Sequence, residues 1–262
     1  MELERICKQV IEAVEDAGSY IRGQQQNNAA PAIEEKGKHN FVTEVDKTAE
    51  QMLVSKLGGI LPEAGFIAEE GTNDKKGAQY NWIIDPLDGT TNYIHGAFPY
   101  AVSVALAEND TPILGVILEL GLNECFYGWK NGGAFLNGQP IRVSRNDTLN
   151  SSLVATGFPY TDYDRMERFM HSIYWFLKNT RGLRRLGSAA TDIAWVACGR
   201  YDGFYEYGLH AWDVAAGIII LEEAGGKCAD FSGGDQYLFG REIICSNGLN
   251  HNEFVDVIRE IM

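Results

Sequence analysis

Two aspartates three residues apart, Asp85 and Asp88, mark the densest chemical signal in the sequence. Residues 82–92 around them read WIIDPLDGTTN. The apolar run predicts a buried strand that ends at Asp85, and the turn behind it allows both carboxylates to point into one space. Gly89 lets the backbone approach an anion closely, and the residues after it can open a helical turn whose free N–H groups face a phosphate. Asp-Pro and Asp-Gly alone are ordinary turn dipeptides, but the whole string indicates a site.

Two further acids, Glu69 and Asp213, could join this pair. Glu69 ends another apolar run, and Asp213 heads an apolar helix in the string WDVAAG over residues 212–217. Taken alone, Glu69 is typical of an exposed loop and Asp213 of a helix cap. Together with Asp85 and Asp88 they form a set of four oxygen donors without His or Cys. Such a set selects Mg²⁺, Mn²⁺ or Ca²⁺ over zinc or copper.

Four carboxylates in one cleft require cations. Two carboxylates ~4 Å apart repel each other by ~4 kcal/mol at an effective dielectric constant of ~20. Two divalent ions would neutralise all four, and two neighbouring metals beside phosphate-binding amides favour two-metal phosphoryl transfer. One ion would lower the pKa of a bound water and the other would stabilise the leaving group. The spacing D-x-x-D, instead of D-x-D-x-T, favours direct attack by water without a phosphoenzyme.

The elements that must position these acids differ between two parts of the chain. Up to residue 148 the pattern predicts an amphipathic helix over 1–22, a polar loop over 34–40, and a helix over 44–57 that is capped by Thr43 and ended by Gly58-Gly59. An antiparallel meander follows, with strands over 65–68, 82–84, 100–107, 113–118 and 125–129.

From residue 149 onward, strands and helices alternate. Strands are predicted over 153–156, 203–206 and 243–245, and helices over 162–178, 188–198, 211–224 and 250–261. We therefore expect an α+β fold of two halves. Residues 1–148 would carry the metal-binding signature, and residues 149–262 would form an α/β half that completes the cleft.

Composition excludes several classes of protein. The 262 residues include 36 Asp and Glu against 22 Lys and Arg, a net charge of -14, so binding to nucleic acid or to a membrane surface is not expected. No 18-residue apolar run could span a membrane, and residues 1–22 are typical of an amphipathic helix rather than a signal peptide. The five scattered cysteines indicate neither a zinc site nor a disulfide framework. We expect a cytoplasmic protein.

At these residues the chain resembles the inositol monophosphatase family of Mg²⁺-dependent, lithium-sensitive phosphatases. The string DPLDGTTN over 85–92 resembles the first family signature, and WDVAAG with EAGG over 223–226 resembles the second. VTEVD over 42–46, Glu69-Glu70 and GSAA over 187–190 fall in family order, so the resemblance covers essentially the whole chain. It implies a layered αβαβα sandwich, a homodimer, and Mg²⁺ as cofactor in two copies or three.

The resemblance also assigns the metal and catalytic residues. It implies that Glu69, Asp85 and the Leu87 carbonyl bind the activating Mg²⁺, and that Asp85, Asp88 and Asp213 bind the second ion. Glu69 and Thr90 would orient the attacking water, and Asp46 would support the Thr90 hydroxyl.

The remaining implied roles concern the substrate and the surroundings of the metals. N–H groups of Gly89 and Thr90 would hold the phosphate, and Asp88, Ala189 and Glu206 would contact the substrate. Lys36 would belong to a mobile loop that closes over the metals, and Glu70 to an outer shell or a third, weak metal.

These features favour Mg²⁺-dependent hydrolysis of a phosphate monoester, with inositol 1-phosphate as the best single candidate. One alternative is a broader sugar phosphatase that also accepts fructose 1,6-bisphosphate or NADP⁺, because such relatives differ mainly in their substrate loops. Another class of function is a catalytically silent, Mg²⁺-sensing interaction protein. Arg184 and Arg185 could contact an anionic substrate, bridge subunits, or be solvated.

Overall fold

The computed structural model describes residues 2–26, 33–37, 40–73 and 75–262, with side chains from residues 2–25, 44–73 and 75–262. Within these ranges the chain forms two helices, α1 (Leu3–Gln26) and α2 (Glu44–Ile60), that cover one face of a large sheet. A short hairpin of β1 (Ile33–Gly37) and β2 (Asn40–Thr43) joins them. Buried Val10, Val14 and Ile21 on α1 confirm the amphipathic period of the sequence.

The large sheet has seven described strands in chain order. They are β3 (Gly65–Ala68), β4 (Tyr80–Asp88), β5 (Ala101–Glu108), β6 (Thr111–Glu119), β7 (Glu124–Trp129), β8 (Gly133–Leu136) and β9 (Gln139–Pro140). The meander from β4 to β7 is antiparallel, as the sequence predicts, and the unpredicted β8 and β9 continue it. The strand β3, predicted as part of this antiparallel meander, instead pairs with β4 in parallel. A short helix, α3 (Thr90–His95), interrupts the path from β4 to β5.

A second, mixed sheet holds five described strands in the order β11-β10-β12-β14-β13. These are β10 (Leu153–Thr156), β11 (Gly182–Arg184), β12 (Gly203–Tyr207), β13 (Lys227–Ala229) and β14 (Glu242–Ser246). The helices α5 (Ala189–Ala197) and α6 (Ala211–Glu223) pack between the two sheets, and α4 (Met166–Asn179) and α7 (His251–Ile261) lie on the outer face of the second sheet. The fold is therefore an α+β sandwich of αβαβα layers.

Several boundaries differ from the sequence prediction. Gly58-Gly59 do not end α2, which continues to Ile60 because Leu57 and Leu61 are both buried and Pro62 supplies the stop. The segment predicted as a polar loop from residue 34 to residue 40 contains most of the β1–β2 hairpin, although residues 38–39 lie outside the described part. Helix α4 begins at Met166, four residues later than predicted. No helix of the described ranges is long and apolar enough to cross a membrane.

Candidate active site

A cleft of about 140 Å³ opens where β4 ends and where the N-termini of α3, α5 and α6 meet. The cleft brings together nine of the predicted site residues: Glu69, Asp85, Leu87, Asp88, Gly89, Thr90, Ala189, Glu206 and Asp213. Of the other three, Asp46 contacts Thr90 from behind, and Glu70 lies beside Glu69 without lining the cleft. The backbone of Lys36 belongs to β1, and its side chain lies outside the described residues.

A bulge in β4 explains how Asp85 and Asp88 reach the same cleft. The strand does not end at Asp85, as the sequence predicted, but continues to Asp88. Asp85 pairs with Ser103 and Asp88 with Ala101, so β4 takes three steps where β5 takes two. In a regular strand, residues three apart point to opposite faces, and the extra residue reverses this relation.

The N-termini of α5 and α6 hold the carboxylates of Asp88 and Asp213. Asp88 Oδ2 accepts hydrogen bonds from Ser188 Oγ at 2.6 Å and from the Ala190 N–H at 2.8 Å, at the start of α5. Asp213 stands in the first turn of α6, where its Oδ2 accepts from the His210 N–H at 2.6 Å. The positive end of a helix dipole favours a carboxylate at each position.

Thr90 connects the signature to α2. Its Oγ1 lies 3.1 Å from Asp46 Oδ1 and 3.0 Å from the Leu87 carbonyl oxygen, and Asp46 is buried in the first turn of α2. Gly89, which caps α3, has φ of 87°, and a Cβ there would lie 3.0 Å from the Pro99 oxygen. Only glycine meets both conditions without strain.

The structure gives supporting roles to residues whose roles the sequence did not predict. Asn92 Nδ2 donates to the carbonyl oxygens of Pro99 and Leu186, both at 2.8 Å, and so ties the signature to the segment before α5. The fully buried Glu50 of α2 accepts from the N–H groups of Glu70 at 2.7 Å and Thr72 at 2.8 Å, which fixes the turn that carries Glu69. Its sequence signal is a glutamate among the apolar positions of α2.

The substrate end of the cleft depends on a glycine as well. Glu206, on β12, is only 7% exposed, and a Cβ at Gly157 would lie 2.0 Å from its carboxylate. Tyr160, Arg185 and Arg241 also line this end, together with Phe158, Thr161 and His210. These residues lie on loops after β10, after β11, and beside β12 and β14. The sequence indicated a contact with an anionic substrate as one option for Arg185 and assigned no role to the others.

Crowded carboxylates dominate the electrostatics of the cleft. Burial, and then repulsion by Glu69, Asp88 and Asp213, raises the pKa of Asp85 well above its usual range. Burial raises the pKa of Asp88 to about 6, although its hydrogen bonds oppose the shift, and burial with repulsion by Asp88 raises that of Asp213 to about 7. The metal-free cleft therefore retains protons near neutral pH.

The donor set fits a hard divalent cation. Among the described residues, no three His, Cys, Asp or Glu side chains are already arranged as a group that could hold a metal ion. The carboxyl group of Asp85 is instead buried beside that of Glu69, and burial together with this neighbour raises the pKa of Asp85. Since the converging carboxylates offer oxygen donors and the aspartates hold protons at raised pKa, a divalent cation would replace those protons favourably.

Comparison with known proteins decides the family. The chain matches the inositol monophosphatase family over residues 2–262. It belongs to that family. As a member, the chain is a phosphatase.

Relatives of this inositol monophosphatase family member carry different names. It is 41% identical over 231 residues to the fructose-1,6-bisphosphatase/inositol-1-monophosphatase of Thermotoga maritima, covering 86% of this chain and 85% of the relative. It is 38% identical over 242 residues to the Nus factor SuhB of Pseudomonas aeruginosa, covering 90% and 89%. The crystal structure of the extragenic suppressor protein suhB from Bartonella henselae superposes with a TM-score of 0.92 at 32% identity, covering 97% of this chain and 98% of that one.

Proposed function

We propose that this chain hydrolyses the phosphate monoester of a polyol, with inositol 1-phosphate as the first candidate and Mg²⁺ as the cofactor. The observation that carries the proposal is the convergence of four carboxylates in one cleft. They are supplied by the end of β3, the bulge of β4 and the first turn of α6. Family membership supplies the class of reaction.

The proposed metal ligands are oxygen atoms only. Glu69, Asp85, Asp88, Asp213 and the Leu87 carbonyl would hold two Mg²⁺ ions, with Glu70 near a third or in an outer shell. When bound, such ions lower the pKa of a water and stabilise negative charge on the phosphoryl and leaving oxygens.

The chain's own groups would position the reactants. Thr90 Oγ1, which donates to Asp46, would accept a hydrogen bond from the attacking water and thereby orient it with Glu69. The N–H groups of Gly89 and Thr90 at the start of α3 lack intrahelical acceptors and would bind phosphate oxygens. Glu206 would accept hydrogen bonds from substrate hydroxyls beside Asp88 and Ala189. Lys36 would belong to a loop that closes over the metals.

Phosphate release from inositol 1-phosphate tests the proposal. We expect turnover with Mg²⁺, none with excess EDTA, and inhibition by Li⁺. An absence of turnover on inositol phosphates and on sugar phosphates at saturating Mg²⁺ would overturn it in favour of the silent, Mg²⁺-sensing protein. An aspartyl-phosphate trapped during turnover would leave the activity intact but reject direct attack by water.

Two guanidinium groups favour a second candidate substrate, a sugar bisphosphate such as fructose 1,6-bisphosphate, or NADP⁺. Arg185 packs 5.2 Å above the Phe158 ring, and Arg241 donates to the Gly208 carbonyl oxygen at 3.0 Å. Neither forms an ion pair with a described carboxylate, although both line an acidic cleft. A guanidinium without a carboxylate partner in such a place is suited to an anionic group of the substrate.

The variant Arg185→Ala tests this candidate. If Arg185 holds the phosphate that does not react, kcat/KM for fructose 1,6-bisphosphate should fall by at least about tenfold relative to kcat/KM for inositol 1-phosphate, the scale of one charge-assisted hydrogen bond. The exposed neighbour Arg184, altered to Ala, is the matched control and should leave the ratio unchanged. An unchanged ratio in Arg185→Ala would reject this role.

We also propose a cytoplasmic homodimer. Three apolar side chains on the outer side of α4, Met170, Tyr174 and Leu177, are 49%, 68% and 60% exposed and follow a helical spacing. A contiguous exposed apolar stripe of this kind favours contact between subunits. Sedimentation velocity should give a dimer for the wild type and a monomer for Tyr174→Glu, whereas a dimer that survives this change would place the interface elsewhere.

A further inference from the structure

We infer that Cys228 and Cys245 are an oxidation site at which a peroxide forms an intramolecular disulfide. Their Sγ atoms lie 3.9 Å apart, and both thiols are free. Cys228 stands on β13 and Cys245 on β14, and the two residues are direct partners in this antiparallel pair. Among the five cysteines of the chain, all within the described ranges, this is the one thiol–thiol contact.

Strand pairing already places the two residues at disulfide distance. Directly opposite residues of an antiparallel pair have Cα atoms about 4.5 or 5.5 Å apart, and both values fall in the range of about 4.4–6.8 Å that disulfides span. Opposite residues also point to the same face of the sheet. Rotation about the Cα–Cβ bonds can therefore bring the sulfur atoms from 3.9 Å to a bond of about 2.05 Å with little backbone movement.

The two thiols differ in access, which gives the reaction an order. Cys245 is completely buried in the core between the sheets, beside Phe204 of β12. Cys228 is partly exposed, because β13 is a three-residue strand at the edge of the sheet. A small oxidant therefore meets Cys228 first, and Cys245 is the resolving thiol.

The chemistry balances with one equivalent of hydrogen peroxide. The Cys228 sulfur attacks one peroxide oxygen, the O–O bond breaks, and a sulfenic acid and water form. The Cys245 sulfur then attacks the sulfenic sulfur, the S–O bond breaks, and a second water leaves with the thiol proton. Two thiols and one peroxide thus become one disulfide and two waters.

Local electrostatics set the pace of this reaction. The contact with Cys245, together with burial, raises the pKa of the Cys228 thiol well above its usual range. The thiolate is the nucleophile, so oxidation at neutral pH should be slow and should need prolonged exposure to the peroxide. The product would in turn be shielded from reductants, because one of its sulfur atoms is fully buried.

The disulfide would stabilise the second sheet. It would close a loop of the 16 residues 229–244 and fix the edge strand β13 to β14. Cross-links of this loop size restrict the unfolded chain substantially, so the melting temperature of the oxidised protein should rise by about 5 °C or more.

Mass spectrometry of the full chain after prolonged exposure to hydrogen peroxide tests the inference. The wild type should lose 2 Da, and a non-reducing digest should contain the peptides of Cys228 and Cys245 joined together. The melting temperature should rise on oxidation. It should return to its starting value when the protein is denatured, reduced while unfolded, and then refolded. Addition of oxygen atoms to Cys228 without the linked peptides would overturn the inference, and so would linkage between chains.

Two variants separate this site from other thiol chemistry. Cys228→Ala changes the partly exposed partner and should abolish both the mass loss and the rise in melting temperature. Cys198→Ala, at the other partly exposed cysteine, is the matched control and should retain both. If Cys228→Ala still loses 2 Da, a different pair reacts and the inference is wrong.

Discussion

Asp88 illustrates how a single side chain serves the fold and the site at once. Its Oδ2 accepts two hydrogen bonds at the start of α5, which oppose the effect of burial on its pKa. It is also one of several carboxylates that repel each other in the metal-free cleft, since it raises the pKa of Asp85, Asp213 and Glu206. The fold thus holds a charge that only a cation would fully balance.

The substitution Asp88→Asn separates these two contributions. The amide oxygen can still accept from Ser188 and Ala190, while one negative charge is removed, so the melting temperature in EDTA should stay the same or rise. Phosphatase activity should fall by about 100-fold or more, as expected for loss of a metal ligand. The exposed Asp147→Asn is the control and should change neither quantity. A large loss of melting temperature in EDTA would show instead that Asp88 is chiefly structural.

At the scale of elements, the close packing of α5 against α6 sets the distance between Asp88 and Asp213. Gly217 of α6 faces Ile193 of α5, and a Cβ at Gly217 would lie 2.7 Å from Ile193 Cγ2. The N-termini of these two helices carry the partners of Asp88 and Asp213 itself. A side chain at residue 217 would therefore push apart the two elements that assemble the cleft.

The variant Gly217→Ala should destabilise the protein by about 1–3 kcal/mol, as overpacked cores do, although alanine favours a helix. Gly59→Ala is the matched control, because a Cβ at Gly59 in α2 meets no atom within 4 Å. That change should be neutral or stabilising. Urea denaturation of both variants measures the free energy of unfolding, and equal values would contradict the proposed role of this contact.

The sequence predicts elements well where local signals and burial agree. Helix α5 spans Ala189–Ala197 between its caps Ser188 and Cys198, within one residue of the prediction, because the polar cap and the apolar run coincide. Prediction from the sequence fails where tertiary contacts determine the local structure. The bulge of β4 depends on pairing with β5, and the role of Glu50 depends on a turn twenty residues away. Likewise, the acids of the cleft follow from signatures, whereas Arg185 and Arg241 reach it only through loop geometry.

At the scale of the whole molecule, the acidic groups that give the net charge of -14 differ in their effect on stability. Most acids are on the surface, where water screens them. A few are gathered in the cleft, where burial raises the pKa of Asp85, Asp88, Glu206 and Asp213. The stability of the metal-free protein should therefore depend on pH through these few groups more than through the surface excess.

The direction of that dependence follows from the pKa shifts. Unfolded aspartates release their protons near pH 4, whereas Asp88 and Asp213 in the metal-free fold hold theirs to about pH 6 and 7. Between these limits the native state binds more protons than the unfolded state, so the free energy of unfolding falls as pH rises. His210 and His251 act oppositely, because their lowered pKa values cost stability as pH falls. A comparison with a variant is therefore needed to isolate the aspartates.

We expect the melting temperature of the wild type in EDTA to fall more steeply between about pH 5 and pH 8 than that of Asp213→Asn, which cannot titrate at residue 213. Saturating Mg²⁺ should raise the melting temperature by mass action, and more so at the higher pH, because the ion displaces protons from the same carboxylates. Differential scanning fluorimetry across this range measures both effects. Parallel curves for the two proteins in EDTA would show that Asp213 retains no proton in the fold. An unchanged melting temperature with Mg²⁺ would contradict the proposed metal site in this cleft.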